Sequence, residues 1–371
     1  MRELTIREWR PRSLLEVPQT PVERARYPVI DAHNHLFGDA PAGAMIPEMD
    51  AAGVAVFVNV TGNVSMPFDE KGYTIRPRPI REYLSSHVRQ HPSRFAAFTM
   101  ADFARWDDFT LFRTPENPSG NAARWVDLCI QHLEEDVRQG ALGLKVTKEL
   151  GLRFQDTDGS MLRVDDERLF PIWRRAGELG IPVLIHTSDP IGFFLPADET
   201  NEHYTSLQEF PGWSFQSSKF SKEELLEQRN RMISAHPGTR FICAHVANCP
   251  EGLGRVSRFL DATLNVVIDF SARMDELGRQ PYTARDFFIR YQNRILFGID
   301  MPVRADIYRA YFRFLETRDE HFEYPDYIGR WGHCRWRICG LHLPEPVLRR
   351  IYHENALRVI HGLEAHFREA P

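Results

Sequence analysis

The sequence has little of what marks an exported, membrane-spanning or nucleic-acid-binding protein. Only five cysteines occur among 371 residues, an odd number spread from Cys129 to Cys339. That is no disulfide framework, and a reduced, cytoplasmic setting is the simpler expectation. No apolar run is long enough for a signal peptide or a membrane span, and the opening MRELTIREWRPRSLLEVPQTPVERARYP contains none. Neither sign of charge dominates: the formal net charge is -5 and the pI about 6.3, so there is no broad field for nucleic acid or membrane. Internal repeats and low-complexity linkers are also missing. A boundary between two domains finds no support.

What is present is an ordinary globular composition, 43% hydrophobic and 26% charged, on a chain long enough to bury a large core. Apolar runs rich in Val, Ile and Phe alternate with longer segments of helical period. Eight strands are expected: PVIDAH (28–33), VAVFVNV (54–60), RFAAFTM (94–100), ALGLKVT (141–147), PVLIHT (182–187), RFICAH (240–245), NVVIDF (265–270) and RILFGID (294–300). Between them lie helix candidates at 79–91, 121–140, 169–180 and 222–238, several ending in Gly, where a left-handed cap is wanted. Eight strands alternating with helices predict an α/β fold, a (β/α)8 TIM-like barrel over 28–371, preceded by an N-terminal extension, 1–27. Long insertions follow strand five (188–220) and strand eight with its helix (318–344). Both are rich in aromatics, among them Trp213, Phe215, Trp331 and Trp336.

The stretch VIDAHNHLFGD (29–39) puts two histidines one residue apart at the end of an apolar strand. Residues i and i+2 of a strand face the same side, so His33 and His35 emerge together, and two adjacent imidazoles are half of a metal site. In a barrel of this kind the active site lies at the C-terminal ends of the strands, so further ligands should stand there. Strand five ends at His186, strand six at His245 and strand eight at Asp300. One such histidine would be an ordinary core residue. Five polar groups on one ring point to a metal.

These residues carry a family resemblance. The order HxH, His, His, Asp along the strand ends, with the strings VIDAHNH, GIPVLIHTSDP, FICAHVANCPE, RILFGIDMP and IYHENALRVI, resembles the amidohydrolase superfamily. More narrowly it resembles the branch that includes aminocarboxymuconate semialdehyde decarboxylase, resorcylate-type decarboxylases and several lactonases. The likeness runs from about Val29 to Leu363. It implies that His33, His35, His186 and Asp300 bind one divalent metal while His245 stands over the reacting group. It also implies a small-molecule substrate, and barrels of this branch are commonly homodimers.

Imidazole and carboxylate donors suit Zn²⁺, the default for a His-rich site, and also Mn²⁺, Fe²⁺ or Co²⁺. A metal of this kind can activate water for attack on a carbonyl, with Asp300 accepting the proton and His245 as general acid/base. Asp31 reads as a structural partner, or one that orients imidazoles, rather than a ligand. Lys145, at the end of strand four, admits three readings: a bridging carbamate, a substrate-contacting or catalytic ammonium, or half of an ion pair. Lys148 on the same loop could share the second. Arg273, past strand seven, could grip a carboxylate or pair with Asp269 or Glu276. Trp213 either lines the pocket or packs within its loop. The cluster GHCRWRICGLHL matches no common zinc spacing and reads as buried packing.

Three functions follow. The preferred expectation is a metal-dependent hydrolase of a C–O or C–N bond, such as a lactone, ester or amide, acting on a small anionic substrate through metal-activated water. The alternative is a non-oxidative metal-dependent decarboxylase of an aromatic or enoic acid. A silent metal-binding barrel is third. Strand patterns do not separate the first two, since one fold hosts many chemistries.

Overall fold

The computed structural model describes residues 2–5, 8, 12–69, 72–105, 110–324 and 336–368. Trp331, His333 and Cys334 lie outside the described residues. All eight expected strands form, each within its expected segment or one residue beyond it: β1 Val29–Asn34, β2 Val54–Asn59, β3 Phe95–Ala97, β4 Leu144–Val146, β5 Val183–Ile185, β6 Phe241–Cys243, β7 Val266–Asp269 and β8 Ile295–Leu296. They make two parallel sheets, β1-β2-β3 and β4 to β8 in sequential order. Isolated hydrogen bonds span both seams. Lys145 N–H donates to Thr99 O (2.7 Å) between β3 and β4, while Ala32 N–H donates to Phe297 O (2.9 Å) and Asp300 N–H to His33 O (3.0 Å) between β8 and β1. The regular ladders stop at the seams, and these bonds carry the ring across them.

Period-two alternation sorts the strand residues into two apolar cores. Ile30, Val56, Val58, Ala96, Leu184, Ile242, Val267 and Leu296 belong to one, together with Ala356, Val359, Ile360 and Leu363 of the C-terminal segment. Their strand neighbours, including Val29, Phe57, Leu144, Val183, Phe241 and Ile295, belong to the other, which packs under the helices. Strands buried on both faces read as continuous apolar runs, the pattern that betrayed them in the sequence. At the β8–β1 seam, Gly298 permits close approach: a Cβ there would lie 2.8 Å from His33 Cβ and 3.0 Å from its nitrogen. Any side chain would push His33 aside.

Helices alternate with the strands as expected. The 121–140 segment becomes a helix at Ala122–Gln139, capped by the Asn121 side chain and ended at Gly140, which has φ 123°. The 79–91 segment turns from α at Ile80–Tyr83 to a π-turn at Leu84–Val88. The N-terminal extension is strapped to the barrel wall, with Thr20 N–H and Oγ1 donating to Asp319 (2.7 and 2.6 Å). Cys129, Cys243, Cys249 and Cys339 are free thiols. No described helix is long and apolar enough to cross a membrane.

Candidate metal centre

The strands deliver their last residues to one end of the ring. One donor atom each of His33, His245 and Asp300 lies within 4.8 Å of the others. The two oxygens of Asp300 are divided between imidazoles, Oδ1 at 3.3 Å from His35 Nε2 and Oδ2 at 3.5 Å from His245 Nε2. The His186 ring meets His245 edge-on, 4.4 Å between centroids. Backbone geometry makes this convergence. Asp300 turns inward at φ 52°, and His245 to Asn248 are four consecutive residues in the left-handed region, an arrangement that costs L-residues about 1–2 kcal/mol each.

Each imidazole is held through one ring nitrogen. His33 Nδ1 bonds Asp269 Oδ2 at 2.9 Å, and His35 Nδ1 bonds Thr61 Oγ1 at 2.9 Å, whose own hydrogen goes to Asn59. His245 Nδ1 faces the Ser271 carbonyl (2.8 Å) and His186 Nε2 the Ser188 carbonyl (3.0 Å). A carbonyl only accepts, so those nitrogens carry hydrogen and the opposite ones carry lone pairs. The lone-pair atoms are therefore Nε2 of His33, His35 and His245, and Nδ1 of His186. Burial holds the His35 and His245 rings well below the ordinary histidine range and His186 down to about 3, which keeps them neutral, the ligating form. Asp269 would be raised by its burial, but His33 and Ser271 hold it down to about 2, an anionic anchor for the His33 N–H. The donor set fits a divalent ion. Nε2 of His245 is buried without a hydrogen-bond partner, a state that costs about 1–3 kcal/mol unless an ion or ligand relieves it.

Cations gather beside the imidazoles. Lys145 is 1% exposed, its Nζ lies 2.9 Å from His33 Nε2, and burial pulls it down to about 8. Lys148 and Arg273 converge on one buried carboxylate: Lys148 Nζ pairs with Asp189 Oδ2, and Arg273 Nη2 lies 3.3 Å from Asp189 Oδ1. Burial pushes the carboxyl of Asp300 above its ordinary range, so it holds a proton more readily than a surface aspartate.

A family model described as amidohydrolase matches residues 30–361, nearly the whole barrel. The chain belongs to the amidohydrolase family. Solved structures with the same fold include an uncharacterised TIM-barrel protein from Bordetella bronchiseptica (14% identity, 92% of this chain and 99% of that one, TM-score 0.52). Another is 2,6-dihydroxybenzoate decarboxylase from Rhizobium (16% identity, 90% and 98%, TM-score 0.52). A third is a dihydroxybenzoic acid decarboxylase from Polaromonas sp. JS666 with bound manganese and 2-nitroresorcinol (14% identity, 91% and 98%, TM-score 0.51). Among curated proteins no match is found.

Within this amidohydrolase barrel, His33, His35 and Asp300 stand together, His245 stands in the tightest group, and His186 joins through its contact with His245. Three further residues have these partners. Arg273 pairs with Asp189, because Asp269 is taken up by His33. Asp31 plays the structural part, accepting from Tyr308 and Asn34 (both 2.7 Å) and from the Ile299 N–H (3.3 Å). Trp213 stacks on Phe210 and Phe193 inside the insertion (4.4 and 5.8 Å), as loop packing would have it. Reading the sequence missed Asp189, Thr61, Ser271 and Asn248. The first had a weak signal, an aspartate three residues after His186 in HTSDP; the others look like common turn residues.

Proposed function

We propose that this amidohydrolase-family chain is a metal-dependent, non-oxidative decarboxylase of a small aromatic or enoic acid. The observation that carries the reading is the convergence of Lys148 and Arg273 on the single carboxylate of Asp189. Lys148 and Arg273 share the Asp189 carboxylate at the rim, Arg273 also within the field of Glu276 and Asp275, and a substrate carboxylate is a suitable further partner for the two cations. The shared fold of two dihydroxybenzoate decarboxylases supports the same choice over the hydrolase that was the preferred expectation from the sequence.

His33, His35, His186 and Asp300 would hold the ion, with zinc or manganese as candidates. When bound, it supplies a Lewis acid that polarises a substrate oxygen next to the reacting carbon. Arg273 and Lys148 hold the leaving carboxylate. The carboxyl of Asp300 gives its proton to the carbon that bears that carboxylate; the C–CO2⁻ bond then breaks, its electron pair returns to the π system, and CO2 departs. His245 Nε2, which carries a lone pair, takes a proton from solvent and passes it to the Asp300 carboxylate across their 3.5 Å contact, returning to the neutral ring. Lys145 is an uncarbamylated amine; its 2.9 Å contact with His33 Nε2 uses the lone pair that a bound ion would take, so the amine would turn from His33 towards the substrate when the ion is held. The balance is one proton consumed and one CO2 released per turnover.

The test is a screen of purified protein against hydroxybenzoates, enoic acids, lactones and amides, in D2O and with CO2 detection. The reading requires CO2 release and one deuterium at the vacated carbon. A lactone or amide opened without CO2 would make the protein a hydrolase.

A further inference from the structure

The turn after β6 holds the last of four left-handed residues, Asn248 (φ 56°, ψ 27°), with a side chain that leaves the turn altogether. Its Oδ1 accepts the Thr187 N–H at 3.1 Å, and its Nδ2 donates to the Ser188 carbonyl at 2.7 Å. Thr187 and Ser188 follow β5 and His186, where the long insertion opens. The Ser188 carbonyl also takes the N–H of His186 Nε2 at 3.0 Å, so its two lone pairs are both used; Asp189 Oδ1 lies farther from the same nitrogen, at 3.4 Å. Asn248 itself is fully buried, and its backbone N–H donates to Ala244 O and His245 O (2.9 and 3.0 Å).

We propose that Asn248 is a positioning residue that fixes the Ser188 carbonyl and, through it, the tautomer and ring orientation in which His186 presents Nδ1 to the centre. The inference rests on reading His186 as a metal ligand. Chemistry restricts the residue narrowly. Asparagine tolerates the left-handed region and offers one donor and one acceptor at the required reach. Glycine would supply the backbone conformation without either bond. Aspartate would supply the size and turn an acceptor oxygen against the Ser188 carbonyl, which would repel it and free the His186 ring. One side chain thus couples the ends of β5 and β6, the two strands that deliver His186 and His245.

The test compares Asn248→Gly and Asn248→Asp with the wild type. Zinc affinity is measured on the metal-free proteins by competition with a chelator, and the His186 ring by ¹⁵N NMR, with His186→Gln identifying its signal. Asn248→Gly, which relieves backbone strain but leaves the buried Thr187 N–H unpaired, should still fold and bind zinc about 10–100-fold more weakly, the usual cost of losing a partner that orients a ligand. Asn248→Asp should bind more weakly still, and its His186 should lose the Nε2–H tautomer. Wild-type zinc affinity and an unchanged His186 signal in both variants would overturn the proposal and leave Asn248 as a turn former. If the wild type itself binds no zinc, the ligand reading fails separately; the NMR comparison then decides alone whether Asn248 sets the ring.

Discussion

The two ends of the barrel make their sharp turns with different residues. Where the chain enters strands, Gly53, Gly140 and Gly180 take the positive φ before β2, β4 and β5. Where it leaves them, glycines (Gly38, Gly120, Gly151 and Gly159) are joined by residues with side chains: Asp39, Ala101, His245, Val246, Ala247, Asn248, Ala272 and Asp300, eight of the ten such non-glycine residues among those described. Glycine reaches this region at no steric cost, whereas other residues are strained there. The entry end is built for stability. At the exit end the strain aims His245 and Asp300, and the neutral imidazoles and buried carboxylates add desolvation costs that only a ligand relieves.

The largest expected effect tests whether the strained end carries the chemistry. His245→Ala should keep its metal and slow turnover about 10²–10⁴-fold, the usual contribution of a positioned acid/base. An unchanged rate would reduce His245 to packing. Next comes the seam: in Gly298→Ala the new methyl collides with His33, so stability to urea should fall by about 1–3 kcal/mol and metal content with it. Stability alone falling would mean that His33 moves without consequence for the centre.

A smaller pair of changes sets the two ends against each other. Gly140 has φ 123°, and a Cβ added there would meet nothing within 4 Å, so Gly140→Ala should lose about 1 kcal/mol through backbone strain alone. Ala272, at φ 50°, should gain up to about 1 kcal/mol in Ala272→Gly, less the entropy glycine adds to the unfolded chain. Equal signs in urea denaturation would break the comparison. The smallest effect lies on the outer wall, where the Asp102 carboxylate beside His132 raises that imidazole above its ordinary value. A raised folded-state value means stability that is fully present below pH 6.5 and is lost as pH rises through the raised value. His132→Gln should flatten that part of the stability-against-pH curve, and an unaltered slope would show that the pair contributes nothing.

Much of this was legible in the sequence. The eight strands announce themselves because both faces are buried, and the histidines stand out because each interrupts the end of an apolar run. The ladders are shorter than the apolar runs. In RILFGID only Ile295–Leu296 pair regularly, since the chain beyond must pass His33 at Gly298 and turn at Asp300. Partners were harder to read. Asp189 belongs to Lys148 and Arg273 across three strand ends, and Asp269 to His33 across the ring, contacts that no local spacing encodes. The same holds for Trp213, whose stacking depends on how the insertion folds upon itself. The π-turns at Leu84–Val88 and Arg350–Glu354 sit in sequences of ordinary helical period.

The central claim is that the lone pairs at the exit end converge on one ion. Titration of metal-free protein with Zn²⁺ or Mn²⁺, followed by an anomalous-scattering map of the loaded crystal, tests it most directly. The account predicts one equivalent, held by His33 Nε2, His35 Nε2, His186 Nδ1 and Asp300, with the His245 ring facing it and an unmodified amine at Lys145. Two equivalents with extra density on the Lys145 amine, or no ion among these residues, would contradict it.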